Sequence, residues 1–220
     1  MAGMLYILDR IFQSISPHLR LLVYELMVQP VSNDKLMPAR TRRQIEVREI
    51  PRGDPAIASM PAREDIKDAR FRQGAVCLGA FRGDVLVGYV WLCFDRYDED
   101  EVKCTYVLSP SGLSSFDFDF YIFPEFRMGR AFGGLWDGVN EILRGKGVRW
   151  TFSRITRFNT ASRNAHARLG ALRVGTAVFL RICRLEVMCA TKPGYFHVSV
   201  APGSRATLML DPGRLQVPVQ

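Results

Sequence analysis

Several hallmarks of metal-binding and disulfide-stabilised proteins are missing from this sequence. Its three histidines and five cysteines include no CxxC pair and no zinc-type spacing between candidate ligands. An odd number of cysteines does not suit a complete disulfide framework, so reduced and mostly buried thiols are expected. Internal repeats and low-complexity tracts are absent as well. We therefore predict no metal site and no disulfide scaffold.

The sequence also lacks a long uncharged apolar run. Its N-terminal stretch is apolar but carries charges and is interrupted by Pro17, so it resembles neither a spanning helix nor a normal signal peptide. Two apolar stripes there predict an N-terminal helical extension, the first made by Leu5, Leu8, Ile11, Phe12 and Ile15 and the second by Leu19, Leu22, Val23, Leu26 and Met27. Three surfaces are alternatives for covering these stripes: the domain itself, a homodimer partner or a membrane.

The composition is that of a soluble globular domain, with 48% hydrophobic and 24% charged residues. A formal net charge of +8 favours anionic partners such as a nucleotide cofactor, nucleic acid or a membrane surface. Basic residues are spread over many segments, so a nucleic-acid surface is not expected. The working location is the bacterial cytoplasm, with peripheral contact to the inner membrane as the alternative that the apolar N-terminus leaves open.

The most informative segment, residues 116–136, reads as a strand, a short basic turn and a helix. Alternating residues at 116–123 predict a strand, which Pro124 ends because it cannot donate a backbone N–H. Apolar residues recur at helical spacing from Ala131 onward, and Gly145 closes that helix. Free amides at the helix start, next to Arg127 and Arg130, predict a site for anionic oxygens.

This junction resembles the cofactor-binding motif of the GNAT superfamily of N-acetyltransferases, in which a strand is followed by P-E-[YF]-R and a glycine-rich turn. PEFRMGR at 124–130 matches the opening, while arginine and phenylalanine stand at two later positions that are usually small. The resemblance implies that acetyl-CoA or another acyl-CoA is the co-substrate. It assigns cofactor contacts to Tyr121, Ile122, Phe123, Arg127, Met128, Gly129, Arg130, Ala131, Phe132 and Gly133.

A second match lies downstream, where NTASRNAHARLGA at 159–171 is similar to the family's N-x-x-A-x-x-L-Y-x-x-L-G-F. Asn159 takes the asparagine position, and Asn159 and Ser162 are expected to contact the cofactor. His166 falls where the family often carries a tyrosine that protonates the coenzyme A thiolate. With an ordinary pKa of about 6.5, a histidine suits that acid role near neutrality.

Amide formation from a thioester requires a neutral amine, whereas a lysine-like amine has a pKa near ~10.4 and is mostly protonated at pH 7. Asp117 and Asp119 are expected to share one face of the strand that enters the turn, so a carboxylate could act as the base there. Asp119 is preferred because it lies nearer the turn. Solvated or salt-bridged strand residues are the alternative interpretation.

An acidic segment at 95–103, DRYDEDEVK, is unusual in a basic chain. A solvated loop is the ordinary interpretation, and attraction of a cationic amine acceptor is the functional one.

The coarse element order predicts an α/β fold, a GNAT-like mixed and mostly antiparallel central sheet flanked by helices. Residues 178–188 are expected to form one long strand, and 102–108 an extra strand. The predicted domain limits are an N-terminal helical extension and linker at 1–43, a GNAT-like acyltransferase domain at 44–200 and a C-terminal tail at 201–220.

The resemblance implies an N-acyltransferase that transfers acetyl from acetyl-CoA to a primary amine of a small molecule or peptide. Two alternatives remain open at this point. One is a longer-chain acyltransferase that uses acyl-CoA or acyl carrier protein, and the other is a non-catalytic binding protein with the same fold.

Overall fold

A computed structural model describes residues 19–38, 44–127, 130–201 and 203–213. In chain order its elements are β1 Leu19–Pro30, β2 Glu46–Glu49, α1 Glu64–Arg72, β3 Val76–Arg82, β4 Val85–Phe94, β5 Arg96–Asp98, β6 Cys104–Leu108, β7 Ser114–Ile122, α2 Ala131–Gly145, β8 Trp150–Thr156, α3 Thr160–Arg168, β9 Leu172–Ile182, β10 Leu185–Ala190, β11 Phe196–Ser199 and β12 Ala206–Leu210. Short 3-10 turns occupy Pro55–Ser59 and Pro124–Phe126.

The chain divides into two compact units. One, here the motif unit, comprises Val31–Phe94 and Gly112–Thr151. The other, here the terminal unit, comprises Met1–Pro30, Asp95–Ser111 and Phe152–Gln220. The predicted α/β class with a mostly antiparallel sheet is confirmed, whereas the domain limits predicted from sequence stay a prediction.

In the motif unit the strand order is β7-β4-β3-β2, with antiparallel pairing throughout. Helix α2 packs on this sheet through small residues: a Cβ on Gly138 would lie 2.3 Å from Val47 Cβ. The same helix also holds the segment that precedes β2, because the Asp137 carboxylate accepts the backbone N–H groups of Leu36 and Met37 at 2.7 and 3.0 Å. α2 is therefore held closely against the sheet.

In the terminal unit the strands follow the order β11-β10-β9-β1-β8, and a separate sheet has the order β12-β6-β5. The predicted helix over the second apolar stripe is wrong, because residues 19–30 form β1 and pair antiparallel with β9. Tyr24, Leu26 and Val28 are fully buried, and Val23, Glu25 and Met27 on the opposite face are only 2% to 8% exposed. A strand that is buried on both faces is apolar at most of its positions. Its apolar residues therefore also match the spacing of a helix. The first stripe lies outside the described residues.

The C-terminal part contains a second departure from expectation. The single strand predicted at 178–188 is wrong, because β9 and β10 form a hairpin in which Ile182 pairs with Leu185. The turn between them places Cys183 at a φ of 54°, a conformation that a turn needs and a strand does not. The extra strand at 102–108 is confirmed as β6, which pairs in parallel with β12.

Two acids of the acidic segment, Glu99 and Glu101, belong to a buried ion-pair cluster with Arg154 within the terminal unit, whereas Asp100 is exposed. The Glu99 carboxylate, whose side chain is 0% exposed, accepts Arg154 Nε and an Arg154 terminal nitrogen at 2.8 and 2.7 Å. Glu101 accepts the Tyr24 hydroxyl at 2.7 Å and lies 3.3 Å from Arg154. Burial by itself lowers the pKa of Arg154, but the charge and hydrogen bonds of Glu99 hold it well above its usual range. The charges of Glu99 and Glu101 are thus paired with that of Arg154.

Candidate functional site

The predicted strand–turn–helix junction is present in the motif unit. β7 ends at Ile122, the turn Pro124–Phe126 follows, and α2 begins at Ala131. The structure therefore confirms the predicted order of strand, turn and helix.

Three aromatic rings surround the end of the strand. Tyr121 stacks on Tyr89 with ring centroids 5.6 Å apart, and Phe123 meets Tyr121 edge-on at 5.3 Å. Contacts of this kind fix the strand end because each ring has a preferred orientation against the next. The end of the strand is consequently packed by aromatic rings.

Arg127 connects the turn back to the strand. Its Nε donates to the Ile122 carbonyl at 2.9 Å, and its guanidinium lies 5.4 Å from the centroid of the Tyr121 ring. Because a guanidinium has five N–H donors, this contact still leaves donors for a phosphate. Arg130 is exposed and occupies the N-cap of α2 without a side-chain capping bond. Met128 and Gly129 lie outside the described residues.

The first turn of α2 has a defined packing. Ala131 is buried, and the Phe132 ring lies 5.2 Å from that of Phe120 on β7. A Cβ on Gly133 would lie 2.7 Å from Met37 Sδ, so this glycine allows the segment before β2 to approach the helix. The backbone N–H groups of the first turn have no partner within a helix, which makes them donors for an anion.

A β-bulge near the end of β7 separates the two candidate aspartates. Tyr89 and Trp91 lie on one face of β4, and their partners on β7 are Tyr121 and Phe118, three residues apart instead of two. Asp119 has a φ of 48°, the left-handed conformation that inserts the extra residue. The alternation of side chains along β7 is therefore reversed at this point.

The prediction that Asp117 and Asp119 share one face is wrong for this reason. Asp117 is buried and accepts the Thr151 hydroxyl at 2.9 Å. Asp119 instead reaches Arg70 on α1, with Oδ2 2.5 Å from a terminal guanidinium nitrogen, and its side chain is 29% exposed. Of the two carboxylates, Asp119 is the accessible one.

Burial, with a contribution from the charge of Asp119, raises the pKa of Tyr89, so its phenol stays protonated.

The second motif forms the start of α3 in the terminal unit. Asn159 is the N-cap, and its side-chain oxygen accepts the Ser162 N–H at 3.0 Å. His166 is buried, with Nδ1 2.9 Å from the Ser162 carbonyl oxygen and 3.5 Å from the Ser162 hydroxyl. Because a carbonyl oxygen only accepts, Nδ1 carries the hydrogen, and Nε2, which is buried, is the nitrogen without a hydrogen in the neutral ring.

Sequence reasoning missed Arg70. The polar sequence of residues 62–72 predicts a helix, and the structure confirms it as α1 but buries Lys67 and Arg70, three residues apart on one face. Lys67, Arg70 and Phe71 follow helical spacing and therefore lie on one face of the helix. That spacing was the signal in the sequence for a buried face that carries charges. Among the described residues, no group of three histidine, cysteine or acidic side chains is arranged to hold a metal ion. No described helix is both long and apolar enough to cross a membrane.

No protein-family model and no curated protein matches the sequence. Among solved structures, the chain is similar to a tandem GNAT protein from the clavulanic acid biosynthesis pathway (TM-score 0.49, 16% identity, covering 78% of this chain and 57% of that one). A putative acetyltransferase from Salmonella typhimurium with its cofactor acetyl-CoA gives a TM-score of 0.41 at 16% identity, covering 58% of this chain and 79% of that one.

A functionally unknown conserved protein from Staphylococcus epidermidis is similar at a TM-score of 0.47 and 13% identity, covering 78% of this chain and 64% of that one. The match covers between 22% and 64% of the length of five such structures. Because these TM-scores are below 0.5, the fold assignment rests on the chain's own motifs and element order. By those two criteria, the fold resembles that of the GNAT superfamily of N-acetyltransferases.

Proposed function

We propose that the protein is an N-acyltransferase that transfers acetyl from acetyl-CoA to a primary amine. The observation that carries this proposal is the junction of β7 with α2, where a PEFR turn follows a strand end packed by aromatic rings and precedes the start of a helix. Acetyl-CoA is a thioester with a pyrophosphate, and a helix start with two adjacent arginines is suited to that anion.

The residues present fit such a co-substrate in charge and in geometry. The first-turn amides of α2 supply donors, Arg130 is exposed beside them, and Arg127 lies one turn earlier with its Nε on the Ile122 carbonyl. In this proposal the pantetheine runs along residues 121–123 as an added strand. Asn159 and Ser162 are proposed as further contacts of the co-substrate.

Asp119 is the proposed base for the amine. Its carboxylate is partly exposed, whereas Asp117 is buried against Thr151, so only Asp119 is open to an acceptor. As the amine nitrogen attacks the thioester carbonyl carbon, its proton passes to Asp119 directly or through water, and the carbon–sulfur bond breaks.

His166 is the proposed acid for the departing thiolate. The Ser162 carbonyl holds the hydrogen on Nδ1, so the proton that leaves must come from Nε2 of the imidazolium. The neutral ring that remains is the tautomer that the same carbonyl stabilises. In this proposal the proton is therefore donated from Nε2 and not from Nδ1.

The first test is binding of coenzyme A by calorimetry. Arg130→Glu is expected to weaken binding at least tenfold, because a carboxylate replaces a guanidinium at the anion site. Arg149→Glu, the same charge change at an exposed position beyond the other end of α2, is the matched control. Equal affinity in wild type and Arg130→Glu would contradict this site.

The second test is turnover, followed as thiol release from acetyl-CoA with a panel of primary amines. His166→Ala should lower kcat while leaving coenzyme A affinity nearly unchanged, because an acid acts in the transition state. Asp119→Asn should make activity rise towards alkaline pH, where the amine loses its proton in solvent. Wild-type kcat in His166→Ala at every pH would return that histidine to a structural role.

A further inference from the structure

Arg70 is a buried cation on the inner face of α1. Its guanidinium carbon lies 5.4 Å from the Trp91 ring centroid and 5.3 Å from that of Phe118, and its side chain is 8% exposed. Both rings belong to the face of the sheet to which the bulge turns Asp119. Two aromatic contacts and a carboxylate therefore fix the guanidinium from different directions.

The partner of Arg70 is the one residue of β7 that departs from strand geometry. Asp119 has a φ of 48°, a conformation that costs a non-glycine residue roughly 1 kcal/mol or more unless its surroundings favour it. The ion pair with Arg70 at 2.5 Å supplies such a preference, because it holds the side chain on the α1 face. Arg70 and the bulge thus determine where the carboxylate lies.

We propose that Arg70 is a positioning residue that holds Oδ2 of Asp119, so that the other carboxylate oxygen faces the acceptor amine. This inference rests on the proposed acyltransferase function and deepens it by naming the group that orients the base. A guanidinium does not lose its proton in proteins, so it orients the base without competing for the proton of the amine.

The test is a double-mutant cycle between Arg70→Gln and Asp119→Asn, with thiol release from acetyl-CoA and the best primary amine of the panel as the assay. Arg70→Gln alone should lower kcat about tenfold or more, leave the KM for acetyl-CoA unchanged, and shift the pH profile in the direction of Asp119→Asn. In the Asp119→Asn background, Arg70→Gln should cause almost no further loss, because the oriented group is already gone.

Arg70→Lys and Arg52→Gln complete the set. Lysine keeps the charge and should restore part of the activity, while Arg52→Gln removes an exposed pair with Asp68 of the same helix and should leave kcat unchanged. If Arg70→Gln fails to fold, the cycle is measured with Arg70→Lys, which should then lower kcat to a smaller extent.

The outcomes separate this inference from the proposed function. Equal losses from the Arg70 substitution with and without Asp119 would overturn the positioning role, as would wild-type kcat in the Arg70 variant. Wild-type turnover of Asp119→Asn at all pH values would instead remove the proposed base, and the positioning role would fall with it.

Discussion

Replacing Glu99 by glutamine tests the buried ion-pair cluster most directly, because glutamine keeps the shape of the side chain and removes its charge. Two charge-assisted hydrogen bonds from Arg154, at 2.8 and 2.7 Å, are weakened or lost. Removing one partner of a buried pair typically costs ~3–5 kcal/mol, because the other charge stays buried without compensation. Arg154 retains Glu101 at 3.3 Å and the face of Tyr24 at 4.5 Å. We therefore expect the lower end, about 3 kcal/mol of unfolding free energy.

The measurement is urea unfolding followed by circular dichroism, with the free energy taken by linear extrapolation. Asp65→Asn is the control, since its pair with Arg63 is at a similar distance of 2.7 Å but has side chains 59% and 80% exposed. It should cost no more than ~0.5 kcal/mol, and that small effect should fade in high salt. A loss below ~1 kcal/mol in Glu99→Gln with an unchanged slope would refute the idea that this cluster stabilises the terminal unit.

Three further substitution or labelling experiments test other features. Gly138→Ala should destabilise the protein by ~1–3 kcal/mol in thermal melts, because the new methyl would lie 2.3 Å from Val47. Gly145→Ala, at the end of the same helix, is the control: its methyl meets nothing within 4 Å, so this variant should be neutral or stabilising. Leu26→Ala should lower the free energy of unfolding by ~2–5 kcal/mol, since Leu26 is 0% exposed. Leu172→Ala should lower it little, since Leu172 is 52% exposed. Similar losses for the two variants in denaturant unfolding would contradict the β1 assignment. Burial raises the pKa of Cys104 to about 12, so at pH 8 its thiolate is nearly absent, and iodoacetamide with mass spectrometry should detect alkylation of the exposed Cys183 and Cys189 first. Rapid labelling of Cys104 in the native protein would contradict its burial.

The junction of β7 with α2 could be predicted from sequence because its signals are local. Alternation along residues 116–123, a proline at the strand end and helical recurrence after Ala131 each specify a neighbouring element without reference to the rest of the chain. The helix cap at Asn159 is local in the same way, since its oxygen bonds a group three residues away.

The features that sequence reasoning missed depend on distant partners. Whether Glu99 is solvated or buried is decided by Arg154, which is far away in the chain. The bulge at Asp119 is likewise invisible in a strand pattern, because it appears only in the register against β4 and in the contact with Arg70. The apolar residues of β1 predict a helix because they also match helical spacing, and only the pairing with β9 shows that they form a strand.

The position of β1 has a consequence for how the protein is made. β1 is the first described segment to leave the ribosome, yet its antiparallel partner, β9, begins only at Leu172. The apolar run of β1 therefore has to wait for most of the chain to be synthesised before its backbone and side chains are covered. Such an unpaired apolar strand is prone to aggregate during that interval. Slower synthesis would lengthen that interval without altering the finished protein.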